Sequence, residues 1–121
     1  MNILLLSQFF STTRGGGEYV FNLLAKKLAE NDNKVWVITN KIKNEEYENY
    51  ENIKLVFVKP TLEYKGGLPA GFSDNIRYAF NAVKTGKSLI KNHDIDLIHS
   101  NNLALLPIYL FDYYPQHYLF Q

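Results

Sequence analysis

Residues 3–30 have the sequence ILLLSQFFSTTRGGGEYVFNLLAKKLAE. The apolar run Ile3 to Leu6 is continuous rather than alternating, which favours a parallel strand covered on both faces. The turn carrying Gly15-Gly16-Gly17-Glu18 follows, and residues 19–30 form an amphipathic segment typical of a helix. Glycine lets a ligand approach the main chain, and the first turn of a helix offers N–H groups that attract anions. We therefore predict a phosphate-binding corner, although any tight strand-to-helix turn also uses glycine.

Composition limits the class of protein. The chain has 121 residues, which fits one domain with a real core. Its formal net charge of +1 gives no electrostatic support for a nucleic-acid binder. It has no cysteine, which excludes disulfides and Cys-based zinc sites, and its three histidines show no metal-ligand spacing. We expect neither a bound metal nor a cofactor.

Two further apolar runs predict strands that follow the first helix. Val35 to Thr39 is rich in β-branched residues, so the first strand, the helix and this run form a right-handed unit with parallel strands. Ile53 to Val58 is the next strand, and Lys59-Pro60 is expected to end it. In the first helix, the spacing of Val20, Leu24 and Leu28 predicts the buried face, with Phe21 and Leu23 on either side and Asn22 facing away.

A second long helix is predicted after a glycine-rich and proline-rich loop. Ser73-Asp74 supplies candidate N-cap residues. The buried face is expected along positions 76, 79, 80, 83, 87 and 90, which follow the 3/4 spacing. Asp96 to His99 is predicted as a fourth strand, and the segment after Asp112 has room for at most a short fifth strand.

Two nucleotide-binding motifs are incomplete in this sequence. The dinucleotide fingerprint would need a third glycine where Val20 stands and an acidic residue near Asn40, so an NAD enzyme is disfavoured. Thr85 to Ser88 imitates the end of a P-loop, but its first glycine would fall on Asn81 and the segment lies inside a predicted helix.

Polar residues at the end of the fourth strand are candidates for a cleft. His99 ends a predicted parallel strand, and ligands of open α/β sheets bind outside the carboxyl ends of the strands. Asn101 and Asn102 follow it, with helix capping as their alternative role. A structural hydrogen-bonding role for His99 stays equally open.

The combined pattern resembles the N-terminal domain of family-4 glycosyltransferases of the GT-B architecture. The resemblance rests on the apolar first strand, Gly15 to Glu18 at the helix start, Leu24 to Ala29, the strand Val35 to Thr39, and Asp94 to Asn101. It implies an α/β, Rossmann-like three-layer sandwich with a mainly parallel sheet of four or five strands in the order 3-2-1-4. This would be half of a GT-B fold, comprising residues 1–111, with residues 112–121 as an aromatic tail or truncated fifth strand.

The resemblance also implies a function. Such enzymes move a sugar from a nucleotide-sugar donor to a sugar or lipid-linked acceptor, with retention of configuration and without a bound metal. By this resemblance, the donor phosphate would lie at Gly15, Gly16, Gly17 and Glu18. The cleft would be lined by His99, Asn101 and Asn102. No catalytic residue is assigned.

Departures from the family pattern limit this expectation. The donor-binding domain and its pair of glutamates eight positions apart are missing from the sequence, so we expect no significant activity from this chain alone. The sequence leaves open a truncated frame, a split enzyme with a separate donor-domain chain, and a non-catalytic α/β module that binds a nucleotide or a protein. A cytoplasmic location is expected, and peripheral contact with the inner face of a membrane stays open.

Overall fold

The computed structural model describes residues 1–10, 16–43, 45–47, 49–63, 71–100 and 118–120. Within these ranges the chain alternates between strands and helices. The elements are β1 (Asn2–Leu6), α1 (Gly16–Glu30), β2 (Lys34–Ile42), β3 (Ile53–Leu62), α2 (Phe72–Asn92), β4 (Leu97–Ser100) and β5 (Tyr118–Phe120).

The strands form a single sheet in the order β3-β2-β1-β4-β5. Each pair of neighbours is parallel, and the central strand β1 pairs with β2 on one side and β4 on the other. The expected order 3-2-1-4 is confirmed, and β5 adds three residues beside β4. Residues 112–117 of the expected tail lie outside the described residues, as does Gln121.

The sheet is buried on both faces, which explains the continuous apolar run in β1. Alternate residues of each central strand contribute to two separate cores. The core beneath α1 contains Ile3, Leu5, Phe10, Phe21, Ala25, Ala29, Val35 and Val37. The core beneath α2 contains Leu4, Leu6, Trp36, Ile38, Tyr78, Ala79, Ala82, Val83, Ile95 and Ile98. One helix on each face of a parallel sheet gives the three layers of a Rossmann-like sandwich.

The buried face of α1 differs from the prediction. Val20 and Leu23 are 54% and 42% exposed, whereas Phe21 and Asn22 are 1% and 3% exposed. The helix packs through Phe21 and the small side chain of Ala25, and the predicted Leu24 and Leu28 are partly buried against the same core. Spacing gave the width of the apolar face, but the fit of the side chains against the sheet sets its centre.

The start of α2 also differs from the prediction. Its N-cap is Gly71, not Ser73 or Asp74. Asp74 lies at the third helical position, where its carboxylate accepts a hydrogen bond from the Gly71 N–H at 3.2 Å. An acidic group in the first turn also interacts favourably with the helix dipole.

The predicted buried face of α2 is partly wrong. Ala79 and Val83 are buried as expected, but Phe80 is 56% exposed and Tyr78 is 1% exposed. Gly86, which costs helix stability relative to alanine, lies on the buried side of the helix.

The third strand continues beyond its predicted end at Lys59-Pro60. Pro60 lies within β3, which runs on to Leu62. Because β3 is at the edge of the sheet, a residue without an N–H is tolerated there. Among the described residues, no helix is both long enough and apolar enough to cross a membrane.

Candidate functional site

The candidate site lies where the parallel strands end. The carboxyl ends of β1, β2 and β4 meet along one edge of the sheet, which we call the C-terminal edge. Helices that follow parallel strands begin at this edge, so α1 and α2 both start there. Ligands of open α/β sheets bind at this location.

The predicted glycine segment lies at the start of α1. Gly16, Gly17 and Glu18 belong to the first turn of the helix rather than to a loop before it, and Gly15 lies outside the described residues. The first N–H groups of a helix have no acceptor within the helix, and the aligned peptide dipoles make this end partially positive. The backbone of this turn has the chemistry needed to hold an anionic oxygen.

His99 lies on the same face of the sheet as α1. It pairs with Leu5 in the β1–β4 ladder, and its half-buried side chain packs edge-on against Phe21, with 5.3 Å between the ring centroids. Phe21 is five residues into the helix, roughly 7.5 Å along its axis from Gly16. The structure therefore brings His99 and the start of α1 to one edge and one face, while Asn101 and Asn102 lie outside the described residues.

A group of hydrogen-bonded polar residues at the C-terminal edge, three of them buried, escaped the sequence analysis. We call Gln8, Thr39, Asn40 and Asn75 the edge cluster. The Gln8 carbonyl accepts hydrogen bonds from the Thr39 hydroxyl and the Asn40 N–H, each at 2.9 Å. The Gln8 side-chain amide donates to the Asn75 side chain, also at 2.9 Å. These bonds tie the chain leaving β1 to the second half of β2 and to the first turn of α2.

One acceptor in the edge cluster has no partner. Asn40 is fully buried, and its side-chain N–H donates to the Val58 carbonyl at 2.9 Å. Since Val58 offers an acceptor, this bond fixes the orientation of the Asn40 amide and leaves Oδ1 as an unpartnered buried acceptor. Such an atom can accept a hydrogen bond from a water molecule or a ligand hydroxyl.

A buried tyrosine supports the same edge from beneath α2. The Tyr78 hydroxyl donates to the Ile38 carbonyl at 2.7 Å, and that carbonyl also accepts from the Ser7 N–H at 3.2 Å. Burial raises the pKa of Tyr78 well above that of a free tyrosine. The residue therefore stays a neutral donor that fixes the middle of β2 at Ile38.

The sequence held a signal for this cluster. Ser7-Gln8 follows directly after the apolar run of β1, and Thr39-Asn40 follows directly after the apolar residues 35–38 within β2. The partner Asn75 carried no such signal, because it is 67 positions from Gln8. Among the described residues, no group of three His, Asp or Glu side chains is placed to hold a metal ion.

Comparison with solved structures identifies the architecture. The chain superposes on sucrose-phosphate synthase from Thermosynechococcus elongatus with a TM-score of 0.68 at 18% sequence identity. The match covers 98% of this chain and 32% of the synthase chain, so this chain spans about a third of that protein. At this identity the likeness establishes the fold, which is that of a GT-B glycosyltransferase domain.

Sequence comparison identifies the family. A search of curated proteins gave no significant match. The model of Glycosyltransferase Family 4 matches residues 14–112, which include both helices and His99. The chain therefore belongs to glycosyltransferase family 4.

Proposed function

We propose that this chain is the N-terminal, acceptor-side domain of a retaining glycosyltransferase that uses a nucleotide-sugar donor. The observation that carries the proposal is the start of α1 at Gly16, on the same edge and face of the sheet as His99. The membership of family 4 supports it independently.

In this proposal the first turn of α1 binds the donor diphosphate through its main-chain N–H groups. Negative charge develops on the leaving phosphate as the glycosidic bond breaks, and donors already aimed at that position stabilise it without reorganisation. Glycine at positions 15, 16 and 17 leaves the amides uncovered by side chains. His99 lines the cleft beside them, with Asn101 and Asn102 following it, and these three contact the acceptor or the transferred sugar.

Asn40 adds a buried polar atom to the C-terminal edge. Its Oδ1 has no partner, and because the side chain is fully buried, a water molecule rather than the acceptor itself is suited to this atom.

The donor nucleotide needs a second domain, either in a longer form of the protein or in a separate chain. A domain that contacts one side of a donor cannot close over it or exclude water from it. The 121-residue chain is therefore expected to bind the diphosphate weakly and to transfer no sugar by itself. A cytoplasmic location is part of the same proposal.

Titration of the chain with nucleoside diphosphates tests this proposal, with amide NMR shifts as the measurement. We expect the shifts to concentrate at Gly15 to Glu18 and around His99. The corresponding nucleosides, which lack the phosphates, should leave these amides unchanged.

The substitution Gly17→Ala should raise the stability of the protein and weaken its binding of diphosphates. Gly17→Ala should stabilise the helix by about 0.5–1 kcal/mol, because glycine is less favourable than alanine there. The added Cβ should obstruct the phosphate and weaken diphosphate binding by about tenfold, since a lost charge-assisted bond is worth about 1.5 kcal/mol.

Gly71→Ala is the matched control for this substitution. Gly71 caps the other helix that starts at this edge, and an added Cβ there meets no atom within 4 Å. This variant should bind diphosphates like the parent chain. Equal binding by the parent and Gly17→Ala would refute the role of α1, and no response to any diphosphate would favour a non-catalytic protein-binding module.

A further inference from the structure

A groove lies along β3, the outer strand of the sheet, beside the chain that leaves β2. Its volume is about 480 Å³, which falls in the range of about 300–1,000 Å³ that is typical of small-molecule sites. We call it the edge-strand groove. Its lining includes Lys41, Glu45, Tyr47, Asn49, Leu55 and Phe57.

Two aromatic rings form a corner in the edge-strand groove. Phe57 is 42% exposed, and the Tyr47 ring lies edge-on to it, with 5.0 Å between the centroids and 66° between the planes. The Tyr47 hydroxyl accepts a hydrogen bond from the Ile42 N–H at 3.0 Å, which holds the ring in place. Because the corner is formed before a ligand arrives, binding needs little further ordering.

The Phe57 ring is covered only by a weakly held lysine. The Lys41 ammonium lies 5.8 Å from the centroid of this ring. At an exposed site such a cation–π contact contributes about 0.5–1 kcal/mol. A ligand can therefore displace the ammonium from the ring at small cost, and the displaced ammonium is still a hydrogen-bond donor beside the ligand.

The lining of the edge-strand groove also offers hydrogen-bonding groups of both types. Lys41 and Lys54 are donors, the Glu45 carboxylate is an acceptor, and the Asn49 amide is both. An apolar protein surface packed on Phe57 would remove these groups from water without replacing their hydrogen bonds, which is unfavourable. The lining instead suits a ligand that has an apolar ring face surrounded by hydroxyl groups.

We propose that the edge-strand groove binds a pyranose ring of an oligosaccharide. The C–H groups on one face of the sugar pack on the face of the Phe57 ring, which carries the negative part of its quadrupole. The sugar hydroxyl groups form hydrogen bonds with Lys41, Glu45 and Asn49. The Tyr47 ring limits how far the sugar extends past the edge of Phe57.

This groove is separate from the candidate site at the start of α1. In the order β3-β2-β1-β4, two strands lie between β3 and the strand that carries His99. With about 4.8 Å between neighbouring strands, this separation is about 14 Å. Saccharide binding here does not depend on sugar transfer. One consequence does rest on the proposed function: an acceptor glycan held in the groove places another part of its chain near the cleft.

Titration of the 121-residue chain with maltotriose, cellotriose and chitotriose tests the proposal, with NMR shifts as the measurement. We expect at least one trisaccharide to cause saturable shifts that concentrate at Tyr47, Leu55 and Phe57. Sorbitol carries hydroxyl groups but has no ring to stack on Phe57, so it should leave these signals unchanged.

Substitutions at Phe57 separate stacking in the groove from general adsorption to exposed rings. Phe57→Ala should weaken trisaccharide binding by at least about tenfold, equivalent to about 1.4 kcal/mol, whereas Phe57→Tyr keeps the ring and should retain binding. Phe80→Ala is the matched control, because Phe80 is 56% exposed on α2 outside the groove, and it should bind like the parent. Circular dichroism confirms that each variant is folded.

Three results would overturn the proposal. They are the absence of shifts with all three trisaccharides, equal loss of binding in Phe57→Ala and Phe80→Ala, and trisaccharide shifts confined to the surroundings of His99. The last result would remove the edge-strand groove and leave the proposed acceptor site intact. Shifts at Phe57 without any response to nucleoside diphosphates would support the groove and count against the proposed function.

Discussion

The Tyr78 hydroxyl offers the sharpest test of how the sheet edge is held. Tyr78 is 1% exposed and donates to the Ile38 carbonyl at 2.7 Å. Since the Ser7 N–H also bonds that carbonyl at 3.2 Å, Tyr78→Phe leaves Ile38 with a partner. We therefore expect the substitution to cost about 1 kcal/mol of unfolding free energy at pH 7, the value of one hydrogen bond without an orphaned group.

Alkaline pH should reveal the buried hydroxyl more clearly. Burial raises the pKa of Tyr78 above the ordinary value of 10.0, so the folded state keeps the proton where the unfolded chain releases it. The stabilising contribution is therefore complete below pH 10 and is lost as pH rises. With one more proton bound in the folded state, the unfolding free energy falls by about 1.4 kcal/mol per pH unit.

Urea unfolding of the parent and Tyr78→Phe at pH 7 and at several values above 10 measures both effects. The chain has nine tyrosines, but the other eight are present in both proteins, so their contributions cancel in the comparison. Tyr50→Phe is the control at pH 7, because the Tyr50 hydroxyl is buried without a partner and its removal should cost nothing. Parallel alkaline slopes for the parent and Tyr78→Phe would refute the reasoning.

Three further predictions concern the core, the helix cap and the edge cluster. Leu5→Ala, at a fully buried position of the central strand, should lower the unfolding free energy measured in urea by about 2–5 kcal/mol. A decrease under about 1 kcal/mol would contradict the close packing around Leu5. Asp74→Ala should cost about 0.5–1 kcal/mol through loss of the bond to the Gly71 N–H, and an unchanged midpoint would show that this bond contributes nothing. Asn40→Asp should lower the unfolding free energy by at least about 3 kcal/mol at pH 7, because a buried carboxylate would face the Val58 carbonyl. This loss of stability should shrink as pH falls and the carboxylate takes up a proton. A loss that does not depend on pH would refute the assigned bond between the Asn40 amide and the Val58 carbonyl.

The sequence by itself determined the strands, and the family resemblance gave their order in the sheet. Four consecutive apolar residues in β1 are compatible with burial on both faces of a parallel sheet, and the predicted runs that begin at Val35, Ile53 and Asp96 correspond to β2, β3 and β4. The resemblance carried by Gly15 to Glu18 and Asp94 to Asn101 supplied the family, which comparison of residues 14–112 confirms. The roles of the glycines, of His99, and of Asn101 and Asn102 stay predictions.

Tertiary structure alone decided which side of each helix is buried. Periodicity gives the width of the apolar face of a helix, but the centre of that face depends on which side chains fit against the sheet. In α1, Phe21 and Ala25 are buried against the sheet and Val20 is exposed. In α2, Tyr78 is buried against the sheet and Phe80 is exposed. Close packing rewards small or well-fitting side chains at the contact, and no local pattern encodes that fit.

The edge cluster was likewise set by the tertiary fold. Gln8, Asn40 and Asn75 come from three distant parts of the chain, and the local sequence of each does not indicate its hydrogen-bond partners. The parallel sheet brings the ends of β1 and β2 and the start of α2 to one edge, where buried polar groups must find partners. The local sequence determined where the strands lie along the chain. Only the assembly of the strands into a sheet determined which side chains meet at its C-terminal edge.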